Sequence, residues 1–578
     1  MRVAPSRRRR PTMLIVGLVV AALLVPFSAN AARPFPMTTI RILDISDWHA
    51  QLDPQDLGSG NIVGGAGALS AYFAQERAAQ PNTLTVTAGD DFGASPPISG
   101  FFDEVPAILG QRLMGIDIGT FGNHNFDRGI DHLQDMIDLA GSTAPAVVGS
   151  PFTYVSANLT RRDANLSGVK DYQIFDFSGT KVAIIGITNP EAPSLVFPGS
   201  FGTIVPSDPV AAAMRAQKAA RKEGASIFIV ITHMGITERE SGTGPLTDFA
   251  SKLRGFHMII GDHTDFQFEA TINGALVIEN RSKSLTYSRT DLVVEQRPGK
   301  SNHRVVSTTN TFITPRVADV TPDPAVETML APYRALLAPI LSVVQGTANK
   351  EVPRADACGR ADGRLCESLI GNVVTDSMLA HFPSADVAIT NSGGIRADLT
   401  CPLADSPTDF CGPQADPTDI EVTRGQTYAV LPFGNFAVTI DMTGAELKAM
   451  LENGVSQMPG ANGRFAQVAG LCFTYDIALA AGSRVTGAVV HNGTACTATP
   501  LDLTGAASYR VAMNDFMAFG GDSYPNFAAR QVSDGTTLEE ALASFIRDNE
   551  QITPTIQGRI VCADSNGAIA PNCPVPVP

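Results

Sequence analysis

Five short polar motifs hold most of the chemistry this chain can do: Asp47-Trp48-His49, Gly89-Asp90, Gly122-Asn123-His124, Thr232-His233 and Asp262-His263-Thr264-Asp265. Carboxylate oxygen, imidazole nitrogen and amide oxygen are the donors that hold pairs of Zn, Mn or Fe ions in hydrolytic enzymes. Four of the nine histidines sit in these motifs. A single such motif is more often a cap or a satisfied polar group than a ligand. Five of them, each at the end of an apolar run, point to a dinuclear metal site.

The runs that must position them are Ile40 to Ile45, Thr83 to Thr87, Ile116 to Phe121, Ile227 to Ile231 and Met258 to Ile260. Buried strands of α/β sheets read as short apolar runs, and such sheets bind ligands beyond the carboxyl ends of their strands. Helix-like stretches such as Ala68 to Ala79 and Pro209 to Glu223 alternate with them, so residues 38 to 312 read as a layered α/β domain. A strand pair, Ala275 to Glu279 and Thr290 to Val294, is expected to close its sheet. Asp323 can then cap a linking helix within 313–346, which Pro332 and Pro339 would kink or divide. Residues 347–562 form a second domain of mixed helices and strands, and 563–578 read as an extended tail.

The order of the motifs, with Gly-Asn-His-x-Phe-Asp at Gly122 to Asp127, Thr-His-x-Gly at Thr232 to Gly235 and Gly-x-His-x-x at Gly261 to Asp265, resembles the calcineurin-like metallophosphoesterases. The second half carries Asn391-Ser392-Gly393-Gly394-Ile395-Arg396, Leu431-Pro432-Phe433-Gly434-Asn435 and Asn514-Asp515-Phe516-Met517-Ala518-Phe519-Gly520-Gly521-Asp522. Together the two sets resemble the 5'-nucleotidase family over about residues 38 to 560. The resemblance implies a four-layer αββα sandwich followed by a mixed α/β substrate-binding domain, with the linking helix as a pivot between them.

It also implies a ligand set. Asp47, His49 and Asp90 would bind one divalent ion, and Asp90, Asn123, His233 and His263 the other, with Asp90 bridging and Asp91 a rival for the bridge. Asp265 stands where the family usually has His or Gln to complete the first set, and a carboxylate there would favour a harder ion such as Mn²⁺ over Zn²⁺. His124 and Asp127 match the family's catalytic dyad, in which imidazole meets developing phosphoryl charge. Asn125 replaces the family's usual Glu and is assigned no chemistry. Trp48, the one tryptophan, is either a wall of the site or a core aromatic. Phe433 and Phe516 would sandwich a nucleobase, Asn435 and Asp522 would meet polar edges of base or ribose, and Arg364, Asn391 and Arg396 would bind phosphate.

Composition sets the outer bounds. Arg7 to Arg10, the apolar run Met13 to Phe27 and Ala29-Asn30-Ala31 read as a signal peptide over residues 1–31. Its fifteen-residue apolar run falls short of the ~20 that span a bilayer. Without that segment's five arginines the chain has 37 basic against 57 acidic residues. So acidic a surface argues against long nucleic acids as partners and leaves a small nucleotide substrate open. All eight cysteines lie in the second half, and near-neighbour pairing gives 358–366, 401–411, 472–496 and 562–573. A zinc–thiolate site lacks any Cys-x-x-Cys spacing.

The expected activity is therefore that of an exported, dimetal phosphohydrolase, periplasmic, wall-associated or secreted, releasing phosphate from nucleoside 5'-phosphates by attack of metal-bound hydroxide. Rivals on the same site are a 2',3'-cyclic nucleotide phosphodiesterase, a nucleotide-sugar hydrolase and the related thiosulfohydrolases. A rival of another class is a non-catalytic nucleotide- or metal-binding surface protein.

Overall fold

The structure is a computed structural model that describes residues 35–577 except 58–59, 299–302, 404–409, 413, 565–566 and 570. The expected signal segment, 1–31, lies outside the described residues. Among those described, no helix is long and apolar enough to cross a membrane.

The first half is built on two six-stranded sheets. One runs in the order Arg304–Ile313, Tyr287–Glu295, Met37–Asp44, Thr83–Thr87, Ile118–Gly119, Thr153–Tyr154, and the other in the order Phe268–Ile272, Ala275–Glu279, Met258–Gly261, Ile227–Thr232, Thr180–Ile187, Tyr172–Phe177. The strands that end in the metal-donor motifs are parallel to one another within each sheet. Alternation along each strand makes the layers. Ile40, Ile42, Leu84, Val86, Ile184, Ile229, Ile231 and Ile260 meet in a dry core between the sheets. Their neighbours turn the other way: Leu43 and Ile45 join one outer core, Ala183, Ile185, Val230 and Ile259 the other. Helices cover both outer faces, so the unit is a four-layer αββα sandwich.

Helix Pro324–Leu341 follows, capped by the Asp323 side chain, which accepts from Ala325 N–H. It continues through Pro332 and Pro339, so of the two outcomes expected, a kink or a division, the helix is not divided. Burial of Val326, Leu330, Leu337 and Leu341 against the sandwich offsets the two lost N–H donors.

The second half has a single core of its own. Sheet Ala437–Thr443, Ser508–Asn514, Val387–Asn391, Ala466–Ala469 lies at its centre, beside sheet Cys496–Pro500, Val485–His491, Leu471–Tyr475, Ile560–Cys562. The disulfides are Cys358–Cys366, Cys401–Cys411, Cys472–Cys496 and Cys562–Cys573. The segment read as a tail has extended backbone but is tied down, by the last of these bridges and by Val577 N–H donating to Ala357 O.

Candidate active site between the two halves

The strand ends bring the five motifs together. Asp47, His49 and Asp90 offer donor atoms within 4.8 Å of one another, as do Asp90, His233 and His263. Close approach of backbone is what makes this spacing attainable. A Cβ on Gly89, at φ +113°, would meet Gly122 N at 2.5 Å and His233 Nδ1 at 2.8 Å, and one on Gly122 would meet Asp90 Oδ1 at 2.1 Å.

The imidazoles are oriented from behind. His49 Nδ1 lies 2.8 Å from Gly93 O and His233 Nδ1 3.3 Å from Ala88 O. A carbonyl only accepts, so each Nδ1 is the donor and each Nε2 turns inward as a lone pair. His233 Nε2 then faces Asp90 Oδ2 at 3.0 Å and His263 Nδ1 at 3.2 Å. Such a meeting of acceptors needs a proton or a cation between them. Burial favours a neutral His233, but the charges of Asp90 and Asp47 outweigh it and raise the ring to about 9. Burial and the charged His233 push His263 down to about 3. Asn123 Oδ1 is buried with no hydrogen-bond partner, as are both carboxylate oxygens of Asp262. A buried acceptor left unpaired costs about 1–3 kcal/mol. The donor chemistry and the orphaned oxygens together fit divalent cations.

Two carboxylates behave differently from the expected set. Asp265 is not among the clustered donors; its charge acts instead on Arg396, Lys283, Arg354 and Arg360. Asp262, which the sequence reading quoted but assigned nothing, groups with Asp47 and His233. Burial and then the Asp47 charge hold its carboxyl well above the ordinary range. Asp91 is spoken for, since its oxygens accept from Asn125 Nδ2 at 2.7 Å and Tyr154 O–H at 2.5 Å.

His124 Nδ1 lies 3.0 Å from both oxygens of Asp127, and Asp127 also accepts from Ala94 N–H at 3.1 Å. The His124 backbone N–H donates to Asp90 Oδ1 at 2.8 Å, so dyad and donor cluster share a loop. Trp48 is fully buried in the helix-side core of the sandwich.

A cavity of about 320 Å³ lies where the two halves meet. Asn123, His124, Asp127 and His263 line it from the first half, and Arg364, Asn391, Arg396, Phe433, Asn435, Phe516 and Asp522 from the second. The Phe433 ring stacks on His124, centroids 5.5 Å apart, and Arg396 Nη2 reaches His49 Nε2 at 3.2 Å. Lys283, pushed down to about 7 by burial and then by Arg354 and Arg396, donates from Nζ to Arg396 O at 2.9 Å. Arg364 Nε and Arg396 Nε are buried without hydrogen-bond partners.

Asn391, expected to bind phosphate, has its amide engaged within the protein. Its Nδ2 donates to Asp522 Oδ2 at 2.8 Å and its Oδ1 accepts from Asn514 at 3.0 Å. Asn435 likewise donates to Asp515 Oδ1 at 2.9 Å. Sequence reasoning missed Asn189, Glu191 and Phe197 on the cavity wall, none of which lies in a recognisable pattern.

Known proteins resemble this chain along nearly its whole length. The family described as 5'-nucleotidase, C-terminal domain, matches residues 344–529. The cell wall protein Lmo0130 of Listeria monocytogenes is 26% identical, over 96% of this chain and 72% of its own length. The bovine 5'-nucleotidase is 24% identical, over 96% of this chain and 95% of its own. The chain spans only 42% and 35% of two longer Bacillus relatives. Among solved structures, the 5'-nucleotidase precursor from Thermus thermophilus superposes with a TM-score of 0.75 at 25% identity, covering 91% of this chain and all of that one. Residues 344–529 thus match the 5'-nucleotidase C-terminal domain, and the chain as a whole is similar to 5'-nucleotidases in sequence and in fold.

Proposed function

We propose that the protein acts outside the cytoplasm and hydrolyses nucleoside 5'-phosphates to nucleoside and phosphate. One observation carries this reading: a single cavity is lined by Asn123 and His263 of the donor set and by the dyad on one side, and by two phenylalanines and two arginines on the other. Asp47, His49 and Asp90 would hold one divalent ion and Asp90, Asn123, His233 and His263 a second; such a pair, when bound, neutralises phosphoryl charge and lowers the pKa of water. His124, oriented by Asp127, presents its imidazole to the charge that develops on the phosphoryl oxygens. Arg364 and Arg396, each with a buried Nε that makes no hydrogen bond, take the phosphate oxygens. Phe433 and Phe516 clamp the base, worth about 1–3 kcal/mol by stacking and tolerant of base identity. Asn391 serves by holding Asp522 toward the ribose or base edge rather than by binding phosphate.

Four disulfides and the leader-like residues 1–31 support an oxidising, extracytoplasmic setting. So does the likeness to a cell wall protein.

The test is phosphate release from AMP, UMP, UDP-glucose, 2',3'-cAMP and bis(p-nitrophenyl) phosphate with Mn²⁺, Zn²⁺ or EDTA present. Metal-dependent turnover highest on the monophosphates is expected. Turnover confined to the cyclic or sugar-linked compounds would replace the substrate, and none at all would favour a binding protein.

A further inference from the structure

A fully buried polar chain lies beneath the donor loops, and the proposed reaction makes no direct use of it. At its centre is Asn125, 1% exposed, beside Asp91, 0% exposed. Asn125 Oδ1 accepts from two backbone donors in two different motifs, Asp90 N–H at 3.2 Å and Gly122 N–H at 2.8 Å. Its Nδ2 donates to Asp91 Oδ1 at 2.7 Å. The other Asp91 oxygen accepts from Tyr154 O–H, and the Tyr154 ring stacks on Phe121, centroids 4.9 Å apart, one residue before Gly122. The Asp91 carbonyl accepts from Ala50 N–H at 3.1 Å, one residue after His49. Two of the five motifs therefore converge on one side-chain pair, and the Asp91 backbone ties in the residue after a third.

We propose that Asn125 is a positioning residue that sets the Asp90 loop and the Gly122 to His124 loop at metal-binding separation, and that it can do so only with Asp91 opposite it. This rests on the metal-site reading above. Donor counting carries the argument. Position 125 accepts two N–H groups on one side and donates on the other, where both Asp91 oxygens accept, one from Asn125 Nδ2 and one from Tyr154 O–H. An amide supplies both functions. Bulk water does not reach the pair, whose residues are 1% and 0% exposed. Asn125→Asp leaves two acceptors facing each other across the 2.7 Å contact. Adding Asp91→Asn reverses the bond: the new carboxylate still accepts both backbone donors, the new amide donates to it, and the amide oxygen still accepts from Tyr154.

The experiment titrates chelator-stripped protein with Mn²⁺ by calorimetry and follows AMP hydrolysis and melting temperature for wild type, Asn125→Asp and Asn125→Asp/Asp91→Asn. Asn125→Asp is expected to weaken Mn²⁺ binding and lower kcat about 10- to 100-fold, the usual cost of losing an outer-layer partner of a metal site. KM for AMP stays near the wild-type value, because the stacking residues lie in the other half. The double variant regains most of both losses. Wild-type Mn²⁺ affinity in Asn125→Asp overturns the proposal, even if its melting point falls, since that is what a purely structural role predicts. A double variant that folds but binds Mn²⁺ no better than Asn125→Asp overturns it too. If Asn125→Asp does not fold, the double variant decides: recovery of fold and Mn²⁺ binding supports the pairing, and continued misfolding refutes it. A wild-type protein that takes up no Mn²⁺ refutes the metal site itself and the proposal with it, a result distinct from all the others.

Discussion

The two sides of the cavity are held in contrasting ways. On the donor side, Asp47, His49, Asp90 and His263 all sit at positive φ, 46°, 49°, 46° and 97°, a region side-chain-bearing residues seldom occupy. Strain of that kind costs of order 1–3 kcal/mol per residue and persists where the surroundings over-determine it. Here parallel strand ends, carbonyls behind the imidazoles and the Asn125–Asp91 pair do so. On the recognition side, only Asp522, at φ 54°, shares that conformation among the residues assigned to substrate. Its loops are fastened by side-chain amides, as the donor loops are by Asn125, and also by disulfides, which the cysteine-free donor side lacks. Cation ligation demands fixed separations, and the candidate donors stand on strained backbone. A stacking pocket needs a gap of about the right width, and tethers suffice.

Three variants probe that contrast. His124→Ala removes charge stabilisation without touching a donor, so kcat is expected to drop about 10²- to 10³-fold. Metal content by elemental analysis should stay at the wild-type level; near-normal turnover would remove His124 from the chemistry, and lost metal would make it part of the scaffold. Phe516→Ala acts on the tethered side alone. Losing one stacking face, about 1–3 kcal/mol, should raise KM for AMP by about 5- to 150-fold with kcat nearly kept. A fall in kcat with KM unchanged would mean that recognition and chemistry are not separable as described.

The smallest effect is on stability. Glu279 accepts from Ile236 N–H at 2.8 Å and from Thr264 Oγ1 at 2.5 Å, and burial pushes its carboxyl from 4.5 to about 8. The folded state therefore holds a proton that the unfolded chain releases between those two values. Its stabilising contribution is full below about 4.5 and is lost as pH rises to about 8. Glu279→Gln should make the decline of melting temperature across that window shallower in chelator-treated protein. Parallel slopes for variant and wild type would show that the carboxyl does not hold the proton.

Strand-end position and residue type marked the five motifs as candidate donors, and the family resemblance sorted Asp47, His49, Asp90, His233 and His263 into two sets. The structure brings the donor atoms of each set within reach of one another. Asp265 and Asp262 were not separable in this way. They stand three residues apart in one loop, and backbone turned to φ 97° at His263 and 61° at Asp265 selects which carboxylate joins the cluster. Asn125 was opaque for a related reason. Its function depends on an acceptor 34 positions earlier and a hydroxyl on a separate strand, a pairing with no local signature. On the recognition side, Phe433 and Phe516 carried their motif context with them, whereas Asn391 reads as a phosphate ligand until its partners, Asp522 and Asn514, are known. The cysteine pairs were legible because short loops close readily.

The end of the chain has a bearing on recognition that its composition conceals. Cys573 is bridged to Cys562, Val577 N–H donates to Ala357 O, and Val577 packs against Gly359 in the Cys358–Cys366 loop. That loop also carries Arg360 and Arg364. If Arg364 binds phosphate as proposed, cleavage between Cys573 and Val577 is expected to raise KM for AMP more than it lowers kcat, so a nicked preparation would pass for a weak-binding enzyme rather than a dead one.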